Sequence, residues 1–233
     1  MHQPRRCAAR RLPTGADWLW GAAAGLGGGI GTAFLYRGLA GSRMGVVAPL
    51  SAVTCALLPV VVGLGLGERP GPLATVGIVV AFPAITLISR MVDDDPSHRG
   101  GVVDGTLAGL GFGMLFSAIG QIGDDAGLFP LMLTQAFSVV SVVMTAVVLR
   151  QPWWPGRSSA WRAVVMGPLG ASATGLFLLA TGYGLLSIVA VISSLYPAVT
   201  VLLASALLRE RIHPGQGAGL ALAAAAVALV AWG

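Results

Sequence analysis

Val46–Arg69 (VVAPLSAVTCALLPVVVGLGLGER) and Ile188–Arg211 (IVAVISSLYPAVTVLLASALLRER) align without a gap at an offset of 142 residues. Val47, Ala48, Ser51, Ala56, Leu66, Glu68 and Arg69 recur as Val189, Ala190, Ser193, Ala198, Leu208, Glu210 and Arg211. The match continues more weakly, from Pro72 to Pro214 and from Gly77 to Gly219. Each copy is a long apolar run closed by Glu-Arg and followed by a second apolar run. Such a doubling is the mark of a helical membrane protein assembled from repeats.

Composition agrees. The chain is 55% hydrophobic and only 10% charged, with a mean hydropathy of +0.82, so it has too few charges to cover a soluble domain with a polar surface. Trp18, Trp20, Trp153, Trp154, Trp161 and Trp232 lie at or near the ends of apolar runs, where interfacial anchors belong. Thirty-four glycines would weaken soluble helices but suit close helix contacts in lipid. The pI near 10.2 does not imply nucleic acid. All 14 basic residues are Arg, four of them (Arg5, Arg6, Arg10 and Arg11) near the start, and none forms a stripe on an amphipathic helix. A juxtamembrane segment facing anionic lipid accounts for the cluster. Cys7 and Cys55 make no disulfide framework, and Cys55, inside an apolar run, reads as packing. The first residues lack the apolar core and cleavage site of a signal peptide and read as a basic segment, 1–16, before the first span.

Runs long enough to cross a bilayer fall near 17–39, 44–66, 71–90, 103–123, 128–149, 160–182, 185–208 and 213–232. The expected fold is therefore all-α and polytopic, with eight transmembrane helices. At the offset of 142, the first three helices map onto the last three. Partners for the fourth and fifth would lie almost wholly before Met1. One repeat then holds five helices, and the chain reads as three plus five: an incomplete first repeat over 17–90 and a complete second over 103–233. An odd number of helices per repeat puts the two copies in opposite orientations, an inverted-topology repeat. Two helices would precede those present, through a start codon placed too far downstream or because the chain is a fragment; the sequence leaves both open. Arg counts in the loops, five on the N-terminal side against nine opposite, point to external termini by the positive-inside rule, a count that lost helices would disturb.

Gly45-Val46-Val47-Ala48-Pro49-Leu50-Ser51, Ser187-Ile188-Val189-Ala190 and Ser193-Ser194-Leu195-Tyr196-Pro197 resemble the EamA-type transporters of the drug/metabolite transporter superfamily. So do Leu66-Gly67-Glu68-Arg69 and Leu208-Arg209-Glu210-Arg211, each followed by an apolar run with Gly77 or Gly219. The resemblance runs from about residue 17 to the end. It implies ten helices in two inverted halves, cytoplasmic termini, a central cavity between the halves, and export or exchange of small metabolites or drugs across the plasma membrane. The chain departs from the family in lacking the first two helices, in having Gln135 where members often carry Arg, and in having Arg209 where the first copy has Gly67.

Pro49, Pro59, Pro83 and Pro197 lie inside apolar runs. Each lacks an N–H and frees the carbonyl four residues back, at Gly45, Cys55, Val79 and Ser193. In lipid such carbonyls must be satisfied by other groups or line a cavity. Ser51 and Thr54 sit near Pro49, and Ser193, Ser194 and Tyr196 near Pro197, so matching helix breaks at Pro49 and Pro197 mark a candidate substrate site. The competing reading is a pair of kinked helices whose hydroxyls bond their own backbone. Tyr36, Gln121, Gln135 and Tyr183 are further cavity candidates, although a buried Gln also bonds neighbouring helices. Glu68-Arg69 and Glu210-Arg211 read as helix-end structure in preference to gating, since Arg complements a C-terminal dipole and Glu can satisfy loop amides. Asp104, Asp124 and Asp125 lie at run ends and read as solvated. Gly21, Gly25, Gly29 and Gly105, Gly109, Gly113 recur every four residues and read as packing faces.

No catalytic residue, metal site or cofactor is expected. The span interiors hold no convincing carboxylate or His, which favours facilitated movement or exchange over proton coupling. With no Lys there is no phosphate-cradling loop for ATP. An intramembrane enzyme would need a second embedded Asp or an embedded His, and His2, His98 and His213 lie in tails or loops. The expected partners are the bilayer and a small-molecule substrate, with a homodimer as the assembly to test and no nucleic acid. The other function that fits is a noncatalytic membrane subunit, the remnant of a truncated transporter.

Overall fold

The computed structural model describes residues 12–41, 44–89, 100–123, 126, 129–148, 150, 157–196, 198–199, 202–203, 206 and 214–232. Among them there are helices and turns but no strand. The helices are α1 (Gly15–Gly41), α2 (Met44–Gly65), α3 (Pro72–Ser89), α4 (Gly100–Ile119), α5 (Phe129–Val148), α6 (Arg157–Thr181), α7 (Leu186–Ser193) and α8 (Pro214–Trp232). Gly101–Ile119 and Phe129–Val148 are each long and apolar enough to cross a bilayer. Leu50–Gly65, Pro72–Leu87, Gly167–Thr181 and Pro214–Val230 are shorter apolar stretches of the same kind.

Local sequence sets the helix ends. α1 opens on a capping box. The Thr14 amide and hydroxyl each donate to Asp17 Oδ2 at 2.7 Å, and the Asp17 amide donates back to Thr14 Oγ1 at 3.4 Å. α2 closes on a Schellman motif, with the Gly67 amide donating to the Leu64 carbonyl and the Glu68 amide to the Gly63 carbonyl. Gly67 has φ of +91°, a conformation glycine adopts without steric cost.

α1 packs on α4 and α5, α2 on α4 and α7, and α3 on α8. In lipid there is no hydrophobic drive to bring helices together, so close backbone approach and interhelical hydrogen bonds must do it. The glycines supply the approach. A Cβ on Gly21 would lie 2.7 Å from the Pro130 carbonyl oxygen of α5, and one on Gly111 would lie 2.5 Å from the Gly31 amide of α1. Gly105, Gly109 and Gly113 meet Val47, Ser51 and Leu58 of α2 in the same way. Thr134 Oγ1 on α5 donates to the Gly21 carbonyl at 3.0 Å, and Ser141 Oγ to the Leu26 carbonyl at 3.2 Å. Both glycine series are thus helix-contact faces.

A second core joins α2, α3, α7 and α8 through Ala52, Ala56, Ala81, Ala84, Ala223 and Ala226. The outer faces are apolar instead of polar. On α5, Met132, Val139, Val140, Met144, Val147 and Val148 are exposed, the arrangement of a surface that meets lipid.

The two copies differ at their prolines. The single span near 185–208 divides: α7 ends at Ser193, residues 194–195 form a turn, and residue 196 is helical again. Ser194 N still donates to the Ala190 carbonyl, but Leu195 N and Ala198 N donate only three residues back, to Ile192 and Leu195. In the first copy, by contrast, α2 runs unbroken through Pro49 and Pro59. Pro59 removes the donor for the Cys55 carbonyl, and Gly113 of α4 packs against that carbonyl, its Cβ position 3.3 Å from the oxygen.

Candidate functional site

α2 and α7 lie side by side and antiparallel. Ser51 lies beside Tyr196 and Cys55 beside Ser194. Further along, Gly63 faces Ser187, the Cβ position of the glycine 3.4 Å from the serine Cβ. Cys55 is the twelfth of the 22 residues of α2, so the Ser51–Cys55–Ser194–Tyr196 group sits halfway along its helix, at the depth of the bilayer centre if α2 spans it.

The break in α7 builds this group. The turn at Ser194–Leu195 interrupts the helix before Tyr196, and the sequence supplies the cause in Pro197, which has no N–H for the Ser193 carbonyl. Ser194 Oγ donates to the Ala190 carbonyl at 2.8 Å and Ser51 Oγ to the Ala48 carbonyl at 3.0 Å, leaving oxygen lone pairs for the thiol and phenol partners. Ser51, Cys55 and Ser194 are buried, whereas Tyr196 is 49% exposed. The ring therefore forms the accessible edge of an otherwise enclosed polar patch. Around it lie Ala52, Ala56, Val191, Leu195 and Ala198. The arrangement offers hydroxyl, thiol and phenol hydrogen bonds with apolar walls and no formal charge.

Of the residues singled out from sequence, Ser51, Ser194 and Tyr196 meet here. Thr54 turns to α4, with its hydroxyl donating to the Leu50 carbonyl and its Cβ against the face of Gly109. Ser193 is half-buried at the end of α7, Gln121 is half-buried in the turn after α4, and Gln135 is half-buried on α5, which packs chiefly on α1. Tyr36 and Tyr183 are 66% and 86% exposed. Pro49 lies in the first half of α2 without interrupting it, and Pro197, with Glu210, Arg211, Asp124 and Asp125, lies outside the described residues. Sequence reading missed Cys55, which looked like packing because nothing in an apolar run says which cysteine faces a serine.

Three carboxylates make tertiary contacts, and one of them, Asp104, departs from the sequence reading. Glu68 Oε1 accepts the Leu186 amide at 2.6 Å and Oε2 the Ser187 amide at 3.0 Å, so the residue after α2 caps the first turn of α7. Asp17 Oδ1 accepts the Gly123 amide at 3.0 Å, tying the start of α1 to the loop after α4. Asp104, expected in water, is 7% exposed and paired with Arg37 of α1. The Arg37 guanidinium lies 4.6 Å over the Phe34 ring. The Thr14-x-x-Asp17 capping signature was readable in advance; the Arg37–Asp104 pairing required knowing that α1 and α4 touch. Among the described residues no cluster of His, Cys, Asp or Glu could hold a metal.

The model of the EamA-like transporter family matches residues 101–232. A solved structure described as "Crystal structure of protein" superposes with a TM-score of 0.64 at 16% identity, covering 94% of this chain and 88% of that chain, a likeness of fold. No curated protein matches the sequence.

Proposed function

The chain belongs to the EamA-like transporter family, and on that premise we propose that it is a secondary transporter carrying small, uncharged metabolites or drugs across the plasma membrane by alternating access. Membership makes it an integral membrane protein of a transporter family. The observation that carries the finer reading is the Ser51–Cys55–Ser194–Tyr196 group, held at mid-helix between α2 and the broken α7. Polar groups at that depth in an apolar protein are costly and are expected where a solute passes. The absence of a charged member favours solutes that need hydrogen bonds and apolar walls over ions.

Alternating access draws support from burial at the offset of 142. Gly77, Ala81 and Ala84 of α3 and Gly219, Ala223 and Ala226 of α8 are all buried, as are Ala52 and Ala56 of α2 and their counterparts Ser194 and Ala198. Matching stripes on helices that pack on each other are what two inverted halves, 17–90 and the last three helices of 103–233, would produce. The reading is noncatalytic.

The test is uptake into proteoliposomes across a panel of neutral, zwitterionic and charged solutes. The reading expects saturable uptake of one class and a loss of at least about tenfold in Ser194→Ala and Tyr196→Ala with the chain still folded, the size expected when a site loses a hydrogen bond it uses. Unaltered uptake in both variants would place the pathway elsewhere.

One observation favours the subunit reading. Residues 167–173 of α6 are all exposed, and Cβ positions on Gly167 and Gly170 meet nothing within 4 Å. At the offset of 142 these glycines correspond to Gly25 and Gly28 of α1, which are buried. A chain whose α6 works against helices from another polypeptide would carry solute only when that polypeptide is added to the liposomes.

A further inference from the structure

Glu68 reaches α7 by a route that several residues have to cooperate to make. The left-handed Gly67 turns the chain back over the end of α2. Gly63, one turn earlier, has no side chain, and the Glu68 carboxylate occupies the space a Cβ there would fill. From that cradle the carboxylate takes both the Leu186 and the Ser187 amides. Beside it the Ser187 hydroxyl is fully buried, and neither it nor the buried Ser117 hydroxyl of α4 has a hydrogen-bond partner.

An apolar plug fills the same end of the bundle. Ile119 and Ala118 of α4, Leu186 and Ala190 of α7, Phe177 of α6 and Ala24 of α1 form one buried cluster. The Phe116 and Phe177 rings stack at 4.4 Å, and Leu186 presses on Gly120, whose Cβ position lies 2.6 Å from the leucine side chain. Leu186 thus belongs both to the plug and to the capped turn. Gly63 is eight residues from Cys55 on α2, which puts this layer about 12 Å from the polar group.

We propose that Glu68 is the latch of a gate: its bonds to the α7 N-terminus hold Leu186 in the plug, and the pathway opens at this end when they break. The proposal rests on the transport reading above and adds to it the residue that holds one mouth shut. Two charge-assisted bonds to buried amides are strong enough to hold a closed state and few enough to exchange. The buried Ser187 hydroxyl, without a partner beside the carboxylate, stands ready to bond an altered arrangement or entering water.

The experiment reads opening directly, without a solute. In a chain carrying Cys7→Ser and Cys55→Ser, a reporter Ile119→Cys is placed in nanodiscs and its labelling rate by a charged maleimide is measured. Ile119 is fully buried, so labelling reports the open fraction. Glu68→Gln is expected to raise the rate about tenfold, equivalent to about 1.4 kcal/mol taken from the closed state, and Glu68→Ala more. Gly63→Ala places a methyl group where the carboxylate sits, leaves the charge intact and should raise the rate as well. It keeps the test decisive if Glu68→Ala does not fold. Asp17→Asn, which loosens the tie between α1 and the loop after α4, should change the rate less than twofold. Unchanged labelling in Glu68→Gln and Gly63→Ala, or an equal rise in Asp17→Asn, overturns the latch. Faster labelling, with no saturable uptake by the chain that keeps Cys55, supports the latch and overturns the transport reading alone.

Discussion

Arg37 Nε, near the end of α1, donates to Asp104 Oδ1, near the start of α4, at 3.0 Å, and the guanidinium closes a second contact on the same oxygen. The two members are unequal in exposure: Arg37 keeps 36% of its side chain accessible and Asp104 10%. That inequality fixes the direction of a mutational test. Arg37→Ala strands a buried carboxylate and should cost about 1–3 kcal/mol, whereas Asp104→Ala leaves an arginine that can reach water and should cost less. Thermal unfolding in detergent should rank the two in that order, and Arg37→Met with Asp104→Leu should recover much of the loss.

The glycine seam and the bare face of α6 predict opposite outcomes for one kind of change. Gly111→Ala puts a methyl group 2.5 Å from the Gly31 amide and 2.7 Å from the Gly27 carbonyl oxygen, both backbone atoms that cannot move aside cheaply. It should lower the melting temperature and separate α4 from α1. Gly170→Ala meets nothing within 4 Å and should be neutral or stabilise by up to about 1 kcal/mol through helix propensity. A melting temperature that falls as far for Gly170→Ala as for Gly111→Ala would mean that the exposed α6 face is covered in solution.

Gly67 is the residue that aims Glu68. With φ at +91°, Gly67→Ala should cost about 1–2 kcal/mol and Gly67→Asn less, because Asn tolerates the left-handed region. Melting temperatures give the cost. Hydrogen exchange at the Leu186 and Ser187 amides should accelerate in Gly67→Ala if the turn is what presents the carboxylate to α7.

The buried threonine of α5 gives a cleaner hydrogen-bond test. Thr134 Oγ1 is shared between the Gly21 and Pro130 carbonyls, each at 3.0 Å, and the residue is 1% exposed. Thr134→Val keeps the shape and removes the donor, for an expected loss of about 1 kcal/mol in unfolding free energy. A loss well above that figure would mean that the α1–α5 contact depends on this bond more than on glycine packing.

What the sequence determined by itself was the class, the spans and the small faces. Apolar runs in a chain with few charges can be stable only in lipid, and a run of about twenty residues there has one regular way to satisfy its backbone, as a helix. The break near Pro197 was legible because a missing N–H is a local fact, and the glycine faces because a four-residue recurrence is one. Pro49, the same kind of local fact, left α2 unbroken; a proline names a freed carbonyl, and the neighbouring helix decides what becomes of it.

Only the tertiary structure decided which polar groups share a space. Cys55 faces Ser194 because α2 and α7 run antiparallel in register, Thr54 turns to α4 because Gly109 leaves room there, and Glu68 caps α7 because Gly63 and Gly67 let the chain fold back. Each pairing joins residues more than a hundred positions apart or rotates one residue against its neighbour by a fraction of a helical turn. Periodicity along one helix carries no record of what stands opposite, so those choices belong to packing alone.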